Sequence, residues 1–281
     1  MNVLSLFDGI SCGMVALERA GFEVDRYVAY EVDKYATQVS EKNYPQIERN
    51  GDVFEGDFTD YKGFDLLIGG SPCTFWSVAR TNRETTSAGV GFELFMQYAR
   101  ALEESEATYF LYENNFGIHK DIQREISNVL GVEPIMINSA LVSAQNRKRL
   151  YWTNIPGIEQ PTDIGLSLQD IVIGDEFTLG AAMRGRYDDQ RKVRQQIEVR
   201  KDRKSNALTT VQKDCILAVR ESPKIAVDSG HWRNLLPVEC ERLQTLPDNY
   251  TEGVSTAQRR KAIGNGWTVD VIAHILKFIP R

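Results

Sequence analysis

The sequence lacks several features that would assign a protein to the membrane, secreted or zinc-binding classes. Its 281 residues include no run of about 18 apolar residues, so we expect no transmembrane helix. No basic stretch precedes the first apolar segment, and the N-terminus therefore does not resemble a secretion signal. The four cysteines form no C-x-x-C pair and none of the three histidines lies near them. We therefore expect free thiols, a reducing compartment and no metal site.

An excess of positive charge is also missing, because the formal net charge is -6. That average hides an asymmetry between the two parts of the chain. Residues 1–157 hold 14 Lys and Arg against 22 Asp and Glu, whereas residues 158–281 hold 19 against 17. Within 184–204, nine basic residues accompany four acidic ones. A cluster of this kind is either a solvated surface or a patch that contacts phosphates.

Short apolar runs alternate with amphipathic helical patterns over the first part of the chain. We predict buried strands at 3–7, 26–30, 65–69, 109–113 and 133–138. Helices are predicted at about 13–20, 33–43, 92–106 and 119–130. This alternation indicates an α/β fold with a mostly parallel sheet that is covered on both faces. Ligands of such sheets bind at the carboxyl ends of the strands.

The rhythm ends near residue 158, where prolines and glycines of 156–167 indicate a linker. An irregular, polar and basic stretch with short β-prone pieces follows it. We predict a catalytic, cofactor-binding domain at 1–160 and a smaller β-rich domain at 161–255. The last segment, 256–281, contains an apolar helix and is expected to return to the first domain.

Three segments at successive strand ends predict a nucleoside-containing cofactor. "LFDGISCG" (6–13) forms a glycine turn after the first strand, where backbone N–H groups can approach an anionic group. Glu31 ends the second strand at a spacing that suits a ribose diol, although a helix N-terminus also favours an acidic residue. Asp52 in "NGDV" could accept from an adenine amino group, and Asp57 in "GDF" competes with it for that role.

A second set of residues predicts chemistry at the same sheet edge. Cys73 in "GGSPCTFWS" follows a buried strand, and Glu113 in "YENN" ends the next one. "SAQNRKRLYW" (143–152) places Gln145, Arg147 and Arg149 on one face of an extended segment. A half-buried structural cysteine and surface salt bridges are the alternatives for these residues. A thiol, a carboxyl group and two arginines that converge on one edge favour a catalytic site.

In order along the chain, these segments resemble the motifs of the DNA (cytosine-5)-methyltransferases. "LFDGISCG" resembles the cofactor loop, "GSPC" the catalytic proline-cysteine motif, "ENN" the Glu-Asn-Val motif and "QNRKR" the Q-x-R-x-R motif. "PVECERLQTLPDNYT" resembles the Arg-Leu-Gln motif of the recognition domain, "KSNALTT" its Thr-Leu segment and "AIGNGW" the last cofactor motif. The style of the motifs is that of small phage or bacterial enzymes and of the animal de novo methyltransferases.

The resemblance implies a Rossmann-like domain that binds S-adenosylmethionine and releases S-adenosylhomocysteine, with target recognition at 161–255. It implies that Cys73 attacks C6 of a flipped-out cytosine, that Glu113 holds or protonates N3 and that Arg149 binds O2. Three further residues would brace Glu113 and the loop that bears Cys73: Arg147, Gln145 and Asn114. The implied cofactor contacts are Phe7, Asp8, Gly9, Ile10, Ser11, Cys12, Glu31, Val32, Asp52, Val53, Pro72, Leu94, Asn265, Gly266 and Trp267.

Three positions depart from the family pattern. Thr74 stands where bacterial enzymes usually carry glutamine, Asn115 replaces a valine, and Ser5 replaces an aspartate. The resemblance further implies double-stranded DNA as partner, with no membrane and no metal. It implies a cytoplasmic enzyme, bacterial or phage-encoded, for restriction–modification or genome protection. Two alternatives stay open: the same scaffold acting on RNA, and a catalytically inactive DNA-binding relative. The oligomeric state is open, and a monomer is compatible with the sequence.

Overall fold

The computed structural model describes residues 1–77, 82–174, 176–187, 190–219, 224–225 and 231–281. The chain divides into two compact units. The first comprises Met1–Ile137, Lys148–Gln160 and Val271–Arg281, and the second comprises Asn138–Arg147 and Pro161–Asp270. The chain thus passes into the second unit after residue 160, as the linker suggests. Residues 138–147 and 256–270, which the sequence placed outside the recognition domain, belong to the second unit because their partners lie there.

The described part of the chain contains fourteen strands and seven α-helices. The strands are β1 Asn2–Leu6, β2 Arg26–Tyr30, β3 Glu48–Asn50, β4 Leu66–Gly69, β5 Tyr109–Asn115, β6 Ile135–Asn138, β7 Gln145–Asn146, β8 Lys148–Thr153, β9 Phe177–Tyr187, β10 Val193–Val199, β11 Ser205–Asn206, β12 Ile216–Val219, β13 Lys224–Ile225 and β14 Trp232–Asn234. The helices are α1 Cys12–Ala20, α2 Lys34–Asn43, α3 Val90–Ser105, α4 Lys120–Leu130, α5 Pro237–Leu243, α6 Thr256–Asn265 and α7 Val269–Leu276. No helix in the described ranges is long and apolar enough to cross a membrane.

A seven-stranded sheet in the order β3-β2-β1-β4-β5-β8-β6 forms the centre of the first unit. The pairs β1–β2, β1–β4, β2–β3 and β4–β5 are parallel, which confirms the predicted mostly parallel α/β sheet. β8 pairs with β5 in the antiparallel direction, with Leu111 opposite Thr153 and Asn115 opposite Arg149. The sequence predicted only an extended segment there, because the alternation of residues does not reveal the partner strand.

The central strands are apolar on both faces, as expected of strands between helical layers. Val3, Leu4 and Leu6 of β1 are fully buried. Aromatic rings pack around Tyr112 of β5. The centroid of its ring lies 4.9 Å from that of Tyr98 in α3 and 5.8 Å from that of Trp152 in β8. This packing fixes the position of β5, the strand that carries Glu113.

Local signals set the ends of the helices. α1 and α4 end at Gly21 and Gly131, both in the left-handed region with φ of 81° and 69°. The Asp33 side chain caps α2 by accepting from the backbone N–H groups of Tyr35 and Ala36. These ends confirm the helices predicted at 13–20, 33–43 and 119–130 to within one residue or so.

The second unit contains a five-stranded antiparallel sheet in the order β13-β10-β9-β12-β14. A short parallel pair, β7–β11, joins residues 145–146 to 205–206 and explains why 138–147 belongs to this unit. α5 and α6 pack on the same apolar core, in which Leu217, Leu243 and Ile263 are fully buried. The unit is therefore the separate β-rich domain that the fold prediction contained.

Candidate active site

The carboxyl ends of β1 and β4 lie at the point where the order of the sheet reverses. From β1 the chain continues to β2 and β3 on one side and then crosses to β4 on the other. In open α/β sheets, ligands bind outside the carboxyl ends of the strands at such a switch point. The loops that leave these two strands carry the predicted cofactor turn and Cys73.

The turn after β1 is organised by the Asp8 carboxylate. Its oxygens accept hydrogen bonds from the hydroxyl groups of Ser5 (2.6 Å), Ser11 (2.5 Å) and Tyr27 (2.7 Å). Ser5, which departs from the aspartate of the family pattern, is therefore one of the groups that hold Asp8. Asp8 was predicted to contact the cofactor, and the structure shows that its carboxylate also holds the turn in shape.

The backbone of this turn adopts an unusual conformation. Phe7, Gly9 and Ser11 all have positive φ angles, of 58°, 60° and 59°. The side chains of Ile10, Ser11 and Cys12 are buried, with 1%, 0% and 3% of their surface exposed. The partly exposed residues of the turn are instead Phe7, Asp8 and Gly9, which a ligand at this position could contact.

Glu31 is tied across the turn by its carboxylate. One oxygen accepts from the Gly9 N–H and the other from the Asp33 N–H, each at 2.7 Å. Burial raises the pKa of Glu31, and the two backbone N–H groups oppose that shift. The result is a carboxylate with few donors at a strand end, and this arrangement suits a ligand that brings hydroxyl groups.

The remaining predicted cofactor residues differ in exposure. Val32 is 73% exposed, whereas Val53 is buried and its carbonyl accepts from Arg100 at 2.9 Å. Asp52 is exposed and its carboxylate accepts from the Phe54 N–H. Leu94 is half-buried in α3.

The competing residue Asp57 is also exposed. Its carboxylate accepts from the N–H and the hydroxyl of Thr59 and so begins a short 3-10 turn. Asp57 and Asp52 thus each hold a local turn, and Asp52 directly precedes the buried Val53. The assignment of Asp52 to the adenine stays a prediction.

Cys73 is the only one of the four cysteines that is not buried. It follows the exposed Pro72 and begins a 3-10 turn that ends at Phe75. Burial, by contrast, raises the pKa of the Cys215 and Cys240 thiols to about 12. These two thiols therefore stay protonated at neutral pH and are poor nucleophiles.

A buried hydrogen-bond network connects β5 to the segment that precedes Cys73. Asn114 Nδ2 donates to the carbonyl of Ser71 (3.2 Å) and to the hydroxyl of Tyr112 (3.1 Å). The hydroxyl groups of Ser71 and Tyr112 are themselves 2.6 Å apart. The pKa of Tyr112 is raised by burial, so this phenol stays protonated and available for hydrogen bonding. Sequence reasoning missed Tyr112, because its alternation identifies it only as a core residue.

Glu113 and Arg149 form an ion pair at the end of β5. Arg149 Nε lies 2.8 Å from Glu113 Oε1, and the two side chains are 15% and 12% exposed. The antiparallel register that places Arg149 opposite Asn115 brings the two side chains together. Because Tyr112 pairs with Gly69, the last residue of β4, Glu113 of β5 is level with the start of the loop that carries Cys73. The site therefore combines an accessible thiol with a paired carboxylate.

Gln145 and Arg147 belong to the second unit and make their described hydrogen bonds there. Gln145 Nε2 donates to Leu243 O (2.6 Å) and to Gln244 Oε1 (2.9 Å). Arg147 donates to three backbone carbonyls: Leu208 O (2.7 Å), Gly264 O (3.2 Å) and Gly266 O (3.0 Å). These two residues help to hold the second unit together, and their bracing of Glu113 stays a prediction.

Two buried polar side chains, Gln244 and Thr268, add further hydrogen bonds around residues 265–267. Gln244 Nε2 donates to the carbonyls of Ile263 and Gly266, and the Thr268 hydroxyl donates to Gln244 Oε1. Sequence reasoning named the "ERLQ" segment but not Gln244 itself. Asn265 is exposed and Trp267 is half-buried, and the cofactor contacts predicted for 265–267 stay predictions.

Part of the basic cluster at 184–204 is neutralised within the second unit. Arg186 pairs with Glu198 through two nitrogens, and Arg184 and Arg200 pair with Asp214 and Asp202. Residues 188–189 of the cluster lie outside the described residues. Arg191, Lys201 and Arg203 are exposed. In the described part of the chain, no group of three His, Cys, Asp or Glu residues could hold a metal ion.

The fold defines an α/β protein in which the two loops of the candidate site leave the sheet at its switch point. The family model for C-5 cytosine-specific DNA methylases matches residues 1–162 and 166–281, so the chain belongs to that family. This match confirms the family resemblance that the sequence motifs carry.

Individual relatives share parts of the chain. The orphan methyltransferase M.Rho11sI of Bacillus phage rho11s is 33% identical over 172 residues, which cover 54% of this chain and 32% of that enzyme. The type II methyltransferase M1.ScrFI of Lactococcus lactis is 26% identical over 308 residues. This alignment covers 96% of this chain and 76% of that enzyme. The structure of S. pombe Dnmt2 methyltransferase shares the fold, with a TM-score of 0.72, 16% identity and coverage of 99% and 97% of the two chains. The chain spans about a third of the length of the phage enzymes that it matches.

Proposed function

We propose that the protein transfers a methyl group from S-adenosylmethionine to C5 of a flipped-out cytosine in double-stranded DNA. The observation that carries this proposal is the Glu113–Arg149 pair on the strand next to the turn of Cys73, in a chain of this family. The methyl group comes from the cofactor, and the protein supplies the thiol and the groups that stabilise charge on the ring.

The turn after β1 and Glu31 fit such a cofactor. Asp8, Gly9 and Glu31 line one cavity. The Glu31 carboxylate accepts from the Gly9 N–H at 2.7 Å and has lone pairs left for ribose hydroxyl groups. Val32 and Asp52 follow the same sheet edge and are exposed to a ligand. When bound, S-adenosylmethionine would supply an electrophilic methyl group at this edge.

Cys73 is the proposed nucleophile. Its thiolate would form an S–C6 bond, and the electron pair of the C5=C6 bond would move toward C5, N3 and O2. C5 would then become nucleophilic and take the methyl group, while the electron pair of the broken S–CH3 bond stays on the sulfur of the released S-adenosylhomocysteine. Loss of the C5 proton to water and elimination of the Cys73 thiolate restore the double bond, so that atoms and charge balance.

Glu113 and Arg149 would stabilise the charge that develops on the ring. Glu113 would hold N3 and its proton, and Arg149 would bind O2. Their ion pair fixes both side chains before the base arrives, so little reorganisation remains at the moment of reaction. Asn114 supports this arrangement, because its bond to Ser71 joins the strand of Glu113 to the loop of Cys73.

Exposed basic residues of the second unit would contact DNA phosphates. Arg191, Lys201 and Arg203 are exposed, and phosphate contacts position a protein on DNA without specifying a sequence. The target sequence would be read by other groups of the same unit.

Bisulfite sequencing of DNA from cells that express the protein tests the proposal. We expect methylation at a fixed sequence that disappears in a Cys73→Ala variant. Methylation that survives in that variant would contradict the role of Cys73. Parallel assays on duplex DNA and transfer RNA distinguish the two substrates, and activity on RNA alone would contradict DNA as the substrate. Inactivity on both would favour a DNA-binding relative.

A further inference from the structure

A single carboxylate joins the turn of Cys73 to the start of α3. Glu84 Oε2 accepts hydrogen bonds from the indole N–H of Trp76 (3.2 Å) and from the backbone N–H of Gly91 (3.1 Å). The backbone N–H of Glu84 in turn donates to the carbonyl of Phe75 (2.9 Å). These three bonds, which we call the Glu84 bridge, hold the turn and the helix together.

Two glycines provide the space that the Glu84 carboxylate occupies. A Cβ atom on Gly89 would lie 2.2 Å from the carboxyl carbon of Glu84, and one on Gly91 would lie 2.7 Å from Trp76 Nε1. Neither distance is possible without a shift of the bridge. The carboxylate also lies at the N-terminus of a 16-residue helix, where unpaired N–H groups favour negative charge.

Trp76 carries the effect of the bridge to Cys73. Its side chain is fully buried in the core of the first unit, where an indole N–H needs an acceptor, and Glu84 provides one. The backbone N–H of Trp76 donates to the carbonyl of Cys73 at 3.1 Å. A displacement of Trp76 would therefore move the backbone of the thiol residue.

We propose that Glu84 is a positioning residue that holds Cys73 in the orientation needed for attack on the base. The proposal rests on the proposed function, in which Cys73 is the nucleophile. Glu84 acts through Trp76 and the turn, and not on the substrate. Orientation matters here, because a misplacement of about 1 Å at a reacting group can lower the rate about 10²-fold.

Four variants separate this role from general stability. Glu84→Ala removes the acceptor, and Glu84→Gln keeps an acceptor oxygen of the same size. Trp76→Phe removes the indole donor together with part of the buried ring. Glu93→Ala is the matched control, because it removes an exposed carboxylate from the first turn of the same helix. For each variant, we would measure covalent trapping on a 5-fluorocytosine duplex, alkylation of Cys73 by iodoacetamide, the dissociation constant for S-adenosylmethionine and the melting temperature.

We expect Glu84→Ala to slow covalent trapping about ten- to hundredfold. Its dissociation constant for S-adenosylmethionine should change far less than the trapping rate, because the bridge touches neither the turn after β1 nor Glu31 and reaches only the helix that carries Leu94. Alkylation of Cys73 should become at least about threefold faster, because the released turn exposes the thiol. Glu84→Gln should recover most of the wild-type rate, and Glu93→Ala should match the wild type. The double variant Trp76→Phe/Glu84→Ala should be slowed by less than the product of the two single effects, because both changes remove one shared interaction.

Wild-type trapping and alkylation rates in Glu84→Ala would overturn the proposal. An equal loss of trapping, cofactor affinity and melting temperature would also overturn it, because that pattern indicates a general loss of structure. Alkylation requires no DNA, so it tests the bridge even if the wild-type protein forms no adduct. Absence of a wild-type adduct would instead contradict the proposed function.

Discussion

Two carboxylates, one half-buried in the first unit and one fully buried in the second, have opposite electrostatic surroundings. Glu31 of the first unit accepts only two described backbone N–H bonds, and burial raises its pKa. Glu239 of the second unit is fully buried, but it accepts from both terminal nitrogens of Arg233 and from the N–H groups of Ile173 and Leu236. Against the effect of its burial, these donors hold the pKa of Glu239 below its ordinary value.

The difference distinguishes a group that can bind a ligand from a group that maintains the fold. Glu239 has four donors for its carboxylate oxygens, so it has little capacity left for a ligand. Glu31 directly follows the carboxyl end of β2 and has fewer donors. A ligand that brings hydroxyl groups would therefore stabilise its charged form. A perturbed carboxylate at a strand end is therefore a better candidate for function than one that is paired and saturated.

The largest expected effect comes from removing Arg233, the cation that pairs with the Glu239 carboxylate. Arg233→Ala leaves Glu239 buried without its cation, and the loss of one partner of a buried pair costs about 3–5 kcal/mol. We expect a fall of this size in the free energy of unfolding, measured by urea denaturation. Lys62→Ala is the control, because its pair with Glu106 is exposed on both sides and is worth about 0–1 kcal/mol. Equal effects of the two variants would contradict the structural role of Glu239.

The second prediction concerns the ion pair of the proposed site. Glu113→Ala should lower the rate of methyl transfer about 10²- to 10³-fold, because it removes the group that holds N3 as charge develops on the ring. The dissociation constant for S-adenosylmethionine should change little, since the cofactor turn follows a different strand. Single-turnover kinetics and calorimetry measure the two quantities. A change confined to cofactor affinity would contradict the assigned role.

The third prediction sharpens the role of Glu31. Glu31→Ala should weaken binding of S-adenosylmethionine about ten- to hundredfold, because hydrogen bonds to a charged group are lost. Calorimetry with S-adenosylhomocysteine gives the same comparison without turnover. Glu41→Ala, which removes an exposed carboxylate of α2, is the control and should bind like the wild type. Unchanged affinity in Glu31→Ala would remove this residue from the cofactor site.

The fourth prediction compares the pH dependence of the two units. The folded-state pKa of Glu239 is lowered, so its contribution to stability is present above the unfolded-state pKa and is lost as the pH falls through the folded value. The folded-state pKa of Glu31 is raised, so its contribution is present below the unfolded-state pKa and is lost as the pH rises through the folded value. Cofactor binding that needs the Glu31 carboxylate should therefore weaken on acidification before the Glu239 contribution to stability is lost. Calorimetry and thermal unfolding across the acidic range would check this order. Loss of the stability contribution before cofactor binding would contradict it.

The smallest expected effect concerns the basic cluster. Replacement of Lys201 and Arg203 by alanine should weaken DNA binding uniformly across sequences and reduce the slope of log K against log salt by about 1–2. Arg186→Ala is the control, because Glu198 already neutralises Arg186. Fluorescence anisotropy at several salt concentrations provides the measurement. An unchanged slope in the double variant would favour a solvated surface.

Strands β1, β2, β4, β5 and β6, helices α1 to α4 and the glycine turn after β1 were predictable, because apolar periodicity and glycine turns are local signals. The partners of "QNRKR" were not, although the residues were identified. Alternation along the segment placed Gln145, Arg147 and Arg149 on one face, but only tertiary pairing decides which groups they meet. The chain changes units between Arg147 and Lys148, and so only Arg149 is placed within the unit of Glu113. The Glu84 bridge was equally invisible, because it joins residues that share no motif.

Covalent trapping on a duplex with 5-fluorocytosine at the target tests the central claim most directly. Fluorine at C5 cannot leave as the proton does, so a thiol bound to C6 stays attached after methyl transfer. With S-adenosylmethionine present, we predict a denaturation-resistant adduct that peptide mapping assigns to Cys73 and that Cys73→Ala does not form. Absence of an adduct from protein that binds both the cofactor and the duplex, or an adduct on another residue, would contradict the account.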